Sequence, residues 1–301
     1  MRARMEYAAA WMALKGFGLL PRPVARAAGV GLARLALWLR PSLRRTALFN
    51  LKVAFPQWTD AQRNGAVNQL VQQLGWLAAE FARLPRLTRE NISQLVSFEG
   101  FENYLAAQRL GQGVLFLTGH TSAWELMPVA FALFHRPMYF LVRSVDNDRV
   151  NALVNSYRCL CGNQPIDKNQ SARAILKILR QGGDVGILAD QNTSPEEGVF
   201  VDFFGVPASA SSGIARLALR TGAAVVPGLL HWDKTAKKYC LRFEPAVELA
   251  RTGDEEADVR ENTGRFARVI ENYACTYPGQ WLWVHKRWKT RPPGEKPFYP
   301  F

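Results

Sequence analysis

The stretch Gly113-Val-Leu-Phe-Leu-Thr-Gly-His120-Thr-Ser-Ala-Trp-Glu125 ends a short apolar run in Gly-His and places a glutamate five positions after the histidine. Bounded by glycines, residues 114–118 read as a buried strand. Such a strand delivers His120 to its carboxyl end, where open α/β sheets gather their sites. A histidine oriented by a carboxylate can take a proton from a hydroxyl near neutral pH. On a continuous helix, positions i and i+5 face different ways. His120 and Glu125 therefore converge only if the histidine sits in the turn before a helix, where Ser122 as N-cap would place it. Ser122 with Glu125 also fits a capping box, which accounts for both residues without any chemistry.

Working outward, further strands are expected at 97–98, 138–142, 185–189, 224–230 and 239–243. Helical patterns lie between and after them at 102–110, 123–134, 148–160, 171–179, 212–220 and 255–277. Strands alternating with helices predict an α/β fold, a mixed sheet flanked by helices. His120, Arg143 and Asp190 all fall at expected strand ends. Asp190 also fits a plain turn cap, and Asp146 and Asp148 are expected to cap the helix that follows them.

Before residue 96 the chain reads as helical throughout. It is broken at Pro21-Pro23, at Pro41 and at Pro56, and Thr59 caps a helix that runs to about Leu84. Two regions follow: 1–95, helical and membrane-associating, and 96–301, an α/β catalytic domain. The apolar stretches at 8–20 and 24–39 carry Lys15, Arg26 and Arg34, so neither is a confident membrane span. With Trp11, Trp38 and basic flanks they read as an interfacial attachment. Val24-Ala25-Arg26-Ala27 looks like a signal-peptidase site, but Glu6 and Lys15 argue against a cleaved leader.

The formal net charge of +13 and the nine tryptophans suggest an anionic partner: nucleic acid, an acidic protein or a phospholipid surface. No basic-aromatic platform or groove-reading motif supports nucleic acid. Cys159, Cys161, Cys240 and Cys275 lack zinc spacing and fit a reducing compartment; no metal is expected. G-x-S-x-G, H-E-x-x-H, the Walker lysine loop and a complete G-x-G-x-x-G are absent. With no protein nucleophile in view, a histidine base would activate a hydroxyl on a substrate.

At this point the chain resembles a known family. His120-x4-Glu125 is similar to the H-x4-D/E motif of the glycerolipid acyltransferase superfamily. The whole chain resembles the lauroyl/myristoyl transferases that act late in lipid A biosynthesis. Arg44-Arg45, Asn50-Leu51 and Ala54-Phe55-Pro56 resemble the family's early helical signature. Ala189-Asp190-Gln191 followed by Gly198 to Gly205 resembles its central loop, and Thr221-Gly222-Ala223 through Pro227 its next strand. Gln280 to Lys289 resembles its C-terminal signature.

The resemblance implies His120 as general base, Glu125 as its orienting carboxylate, and Arg158 and Asp190 as substrate contacts. Arg143 is a further candidate for a phosphate. Members often carry Asn before the histidine, where Gly119 stands here, a departure that bears on the acceptor. The implied reaction moves a fatty acyl chain from an acyl carrier protein or CoA thioester, as co-substrate rather than cofactor, to a hydroxyl of an anionic membrane glycolipid. The implied location is the cytoplasmic face of a bacterial inner membrane. Alternatives are acylation of a phosphatidylinositol mannoside or lysophospholipid, or a non-catalytic basic membrane-surface protein. Arg158 also fits a salt-bridged helix residue, and the Lys286–Lys289 cluster a plain basic surface with snorkelling stems.

Overall fold

The computed structural model describes residues 1–168 and 171–301. Four helices come first: α1 (Arg2–Leu19), α2 (Arg22–Leu39), α3 (Pro41–Ala54) and α4 (Asp60–Arg83). Prolines set the starts of α2 and α3, since a ring with fixed φ and no N–H suits a first turn. Thr59 caps α4 with a full capping box, Gln62 answering back to the Thr59 amide. Then come β1 (Val96–Glu99), α5 (Phe101–Gln108), β2 (Val114–Thr118), α6 (Leu126–Phe134), β3 (Tyr139–Val142) and α7 (Asp148–Arg158). The chain continues through β4 (Gln164–Asp167), α8 (Ser171–Arg180), β5 (Asp184–Leu188), β6 (Gly198–Phe203) and β7 (Val206–Ser211). It closes with α9 (Gly213–Thr221), β8 (Ala224–Asp233), β9 (Lys238–Phe243) and α10 (Glu255–Thr276).

Seven strands form one sheet in the order β1-β9-β8-β2-β5-β3-β4. All neighbours run parallel except β8 and β9, so the sheet is mixed and flanked by helices, as expected. β2 is buried along its whole length, which its unbroken apolar run requires of a central strand. α3 and α4 share a core with the sheet: Leu51, Leu70, Leu117, Val225 and Trp283 belong to one buried cluster. Asn50 is fully buried and ties α3 to the C-terminal segment, donating to the carbonyls of Trp283 and His285 and accepting from the Tyr299 hydroxyl.

Several expectations are corrected. Residues 198–205 are no loop: Gly198–Phe203 pairs with Val206–Ser211 as an antiparallel hairpin. β4 was not anticipated. α6 starts at Leu126, and Ser122 is not its cap but holds a left-handed φ of 51° in the preceding turn. α7 is capped by Asn147, whose side chain accepts from the amides of Arg149 and Val150, and not by Asp146 or Asp148. Arg287 and Trp288 are core residues rather than basic surface. Arg287 is 1% exposed, donates to the Ser209 carbonyl and lies over the Phe203 ring. Trp281, Trp283 and Trp288 are likewise interior, so much of the tryptophan content serves packing. Among the described residues no helix is long and apolar enough to cross a membrane.

Candidate active site

β2 and β5 are parallel neighbours paired from Val114↔Asp184 to Thr118↔Leu188. Carried two residues beyond the strands, that register sets His120 against Asp190. His120 Nδ1 lies 2.7 Å from Asp190 Oδ1, and the His120 amide donates to Asp190 Oδ2 at 2.7 Å. The Trp281 indole N–H donates to the same Oδ2 at 2.8 Å. Asp190 is buried, so these three bonds are what make its charge tolerable there. Gly119 backs onto this carboxylate: a Cβ at that position would stand 3.2 Å from Asp190 Oδ2.

The pair is electrostatically coupled. Burial works against a charged His120, but the charge and hydrogen bond of Asp190, with help from the Glu125 charge, outweigh it and hold the imidazole above its ordinary pKa. Burial likewise works against the Asp190 carboxylate. The His120 charge, the bonds from its ring and amide, and the Trp281 indole bring its pKa below the usual range. With Nδ1 donating to the carboxylate, the neutral imidazole keeps its lone pair on Nε2. Gln191 Nε2 stands 3.3 Å from that atom.

The expected His120–Glu125 bond is not made. Glu125 instead takes a two-pronged contact from Arg158, Nε to Oε2 at 2.8 Å and Nη2 to Oε1. It acts on His120 only through its charge. Asp190 fills the orienting position, is buried, and is not on the wall of the cavity that His120 lines. The turn carrying His120 is pinned from two sides. The Thr121 hydroxyl donates to the Leu230 carbonyl, the Ser122 amide to the Gln280 carbonyl, and the Ser122 hydroxyl to Gln73 on α4. His285 Nε2 accepts from the Asn192 amide at 2.9 Å. Burial pushes its pKa down to about 4, so it stays neutral and holds the loop after Asp190.

His120, Glu125, Arg143 and Arg158 all face one cavity of about 490 Å³, with Lys168 and Gln191 also on its walls. Its opening follows from the sheet. β3 and β5 pair only at Tyr139↔Val185 and Phe140↔Gly186, then part. Leu141, Val142 and Leu188 beyond the split line both the polar cavity and an apolar slot beneath it. Met127, Met138 and Gly186 line the slot's interior, where free volume is only about 60 Å³. Such a space holds a few waters at most. Trp281, Gln191 and His285 were missed as contributors. They sit in segments quoted for the resemblance, and nothing in composition or spacing marks them.

Among the described residues no hydroxyl or thiol side chain is hydrogen-bonded to His120, an arrangement that suits a base acting on a substrate hydroxyl. A family model described as bacterial lipid A biosynthesis acyltransferase matches residues 3–290. The chain belongs to that family and is an acyltransferase of lipid A biosynthesis. It is similar to the lipid A biosynthesis myristoyltransferase of Escherichia coli (strain K12), 27% identical over 96% of this chain and 90% of the relative. The lauroyltransferase of the same organism is 26% identical over 94% and 93%. Its palmitoleoyltransferase is 26% identical over 96% and 94%. These three names differ in the acyl group, so likeness to them does not fix the chain that this protein transfers.

Proposed function

We propose that this protein moves a fatty acyl chain from an acyl thioester to a hydroxyl of a phosphorylated lipid A precursor at a membrane surface, with His120 as general base. The observation that carries the reading is the His120–Asp190 pair, which in the neutral imidazole turns the Nε2 lone pair to the wall of a cavity shared by two arginines. The acceptor hydroxyl enters against Nε2. As its oxygen attacks the thioester carbonyl, the proton passes to Nε2, and Asp190 stabilises the imidazolium. Collapse of the tetrahedral intermediate breaks the C–S bond, and the imidazolium returns the proton to the departing thiolate. The Gln191 amide, displaced from Nε2 by the hydroxyl, is placed to donate to the developing oxyanion.

Arg143, exposed at the rim, suits an acceptor phosphate. Arg158 spends two of its donors on Glu125 and offers the rest of its guanidinium to the cavity. The acyl chain is assigned to the slot between β3 and β5. At its present volume the slot admits a chain only if Met127 and Met138 swing aside, which unbranched thioether side chains do readily. The donor is an acyl carrier protein or CoA thioester; the net charge of +13 suits the acidity of either. The exposed apolar residues of α1 and α2 support peripheral attachment to the inner membrane's cytoplasmic face.

His120→Ala is expected to lower transfer at least about 100-fold while vesicle binding persists. Mass spectrometry of membrane lipids from cells with and without the protein should reveal a glycolipid heavier by one acyl chain. Unchanged turnover in His120→Ala, or unchanged lipid masses, would remove the reading.

A further inference from the structure

Away from the acyl-transfer cavity, two guanidinium groups pair with one buried carboxylate and a third stands beside them. Arg26 Nε donates to Glu80 Oε1 at 2.7 Å, Arg22 Nε lies 3.3 Å from Oε2, and the Glu80 side chain is 2% exposed. Arg83, one helical turn beyond Glu80 on α4, completes the cluster. Burial, then the charges of Arg22 and Arg86, hold its pKa below the usual guanidinium value. Its Nη1 donates to the Leu20 carbonyl, and its Nε is buried with no hydrogen-bond partner among the described residues. Glu80 carries one negative charge against three positive ones, so the cluster keeps a net positive charge at a place where Arg22 is still 33% exposed.

The imbalance faces an open groove of about 960 Å³ between α2 and α4, where Arg34, Gln69, Gln72 and Trp76 join Arg22 and Arg26. Among the described residues no acidic side chain lines it. Arg26 is held rigid there, its guanidinium carbon 4.4 Å from the Trp76 ring centre and 4.7 Å from that of Trp232. Rigid forks of this kind match phosphate oxygens.

The rest of α2 says where that phosphate comes from. Val24, Leu35 and Trp38 point away from α4 and are 50%, 47% and 75% exposed. Arg34 occupies the flank between this apolar face and the packed one, and Arg22 and Arg26 reach the same groove from the packed side, where both meet Glu80 of α4. A helix lying with its apolar face at the acyl boundary holds such a flank at headgroup depth. We infer that the α2–α4 groove binds the phosphate of an anionic bilayer phospholipid and so seats the protein beside its membrane substrate. The inference rests on the membrane-lipid reading of the active site but not on its chemistry.

The test is partition of the full-length chain, without acyl donor, onto phosphatidylcholine vesicles with and without phosphatidylglycerol. The wild type should bind more tightly when phosphatidylglycerol is present. Arg22→Gln/Arg34→Gln should lose about thirty-fold of that gain, the worth of two basic side chains near an anionic surface. Arg109→Gln/Arg220→Gln removes the same charge at the amino edge of the sheet and should keep the gain. Equal loss in both variants would mean that net charge does the binding, and unchanged partition in the first would mean that the groove does none; either overturns the proposal. So would a wild-type chain that binds inorganic phosphate yet gains nothing from phosphatidylglycerol, since its ligand would then be the free ion. Arg34→Gln alone, an exposed position, keeps the test decisive should the double variant melt early. A chain that partitions as expected but transfers nothing would sink the acyl-transfer reading and leave this one standing.

Discussion

His120 has two carboxylates within its electrostatic reach, and they do different work. Asp190 touches Nδ1 and fixes which nitrogen carries the lone pair; Glu125 touches only Arg158 and acts through space. Asp190→Asn should therefore lower kcat by about 100- to 10,000-fold, because an amide oriented the wrong way leaves Nε2 protonated. Glu125→Gln should keep most of kcat but move the acid limb of the kcat/KM profile to lower pH. The sign follows from the base having to be neutral: activity rises with pH through a His120 pKa held above its ordinary value. Removing the Glu125 charge withdraws one cause of that elevation, and the unpaired Arg158 pushes the same way. An unshifted or upward-moving limb would deny Glu125 this influence. Both His120 and Asp190 were legible as residues at strand ends. Their partnership was not, because it depends on β2 lying beside β5 in a register that pairs Thr118 with Leu188. Local sequence offered only Glu125, the nearer carboxylate along the chain, and the left-handed turn at Ser122 carries that residue away.

At the scale of elements, the strands legible in the sequence are those with strong apolar runs, such as 114–118 between Gly113 and Gly119, and the missed ones have physical reasons. β4 is a four-residue edge strand containing Pro165, and proline is tolerated only at such edges. The β6–β7 hairpin turns through Phe204 and Gly205, at φ of 55° and 73°. That is the two-residue turn normally announced by Asn-Gly, here hidden by a phenylalanine packed on Phe55 and Trp283. Two glycines separate conformational need from spatial need. Gly205 has open space around it, so Gly205→Ala should cost only the left-handed backbone penalty, roughly 1–2 kcal/mol. Gly75 has an ordinary φ, but α2 crosses α4 there so closely that a Cβ would run into the backbone of Gly29 and Val30. Gly75→Ala should cost about 1–3 kcal/mol by overpacking and loosen α2 as well. Denaturant melts rank the two stabilities. Vesicle partition, lowered in Gly75→Ala and retained in Gly205→Ala, checks the assignment of α2 to the membrane side.

Over the whole molecule, the N-terminal helices and the reacting cavity occupy the same end of the sheet. Trp76 of α4 packs edge-on against Trp232, which ends β8 beyond the level of His120, and the Gln280 side chain bonds the Trp232 amide while its carbonyl holds Ser122. α1 reaches the other rim: Asn147, the cap of α7, donates to the Ala3 carbonyl and to Glu6. Arg158 lies at the far end of that same α7. The composition could signal a basic, tryptophan-rich protein with apolar helices at its start, but not that α1 meets the cap of α7 and α4 meets Trp232. α1 contains no buried residue, yet Met5, Met12 and Leu19 are 66%, 61% and 74% exposed. A helix that sets only a half-buried Leu14 against the core and shows this much apolar surface is placed for a bilayer more than for folding. Deleting residues 2–19 should therefore leave the melting temperature nearly unchanged. With acceptor presented in vesicles, KM should rise several-fold; with acceptor dispersed in detergent, both KM and kcat should stay close to wild type. A fall in kcat with dispersed acceptor would instead make α1 part of the catalytic framework, acting on α7 through the Asn147 contacts, and would assign its apolar face to some partner other than the membrane.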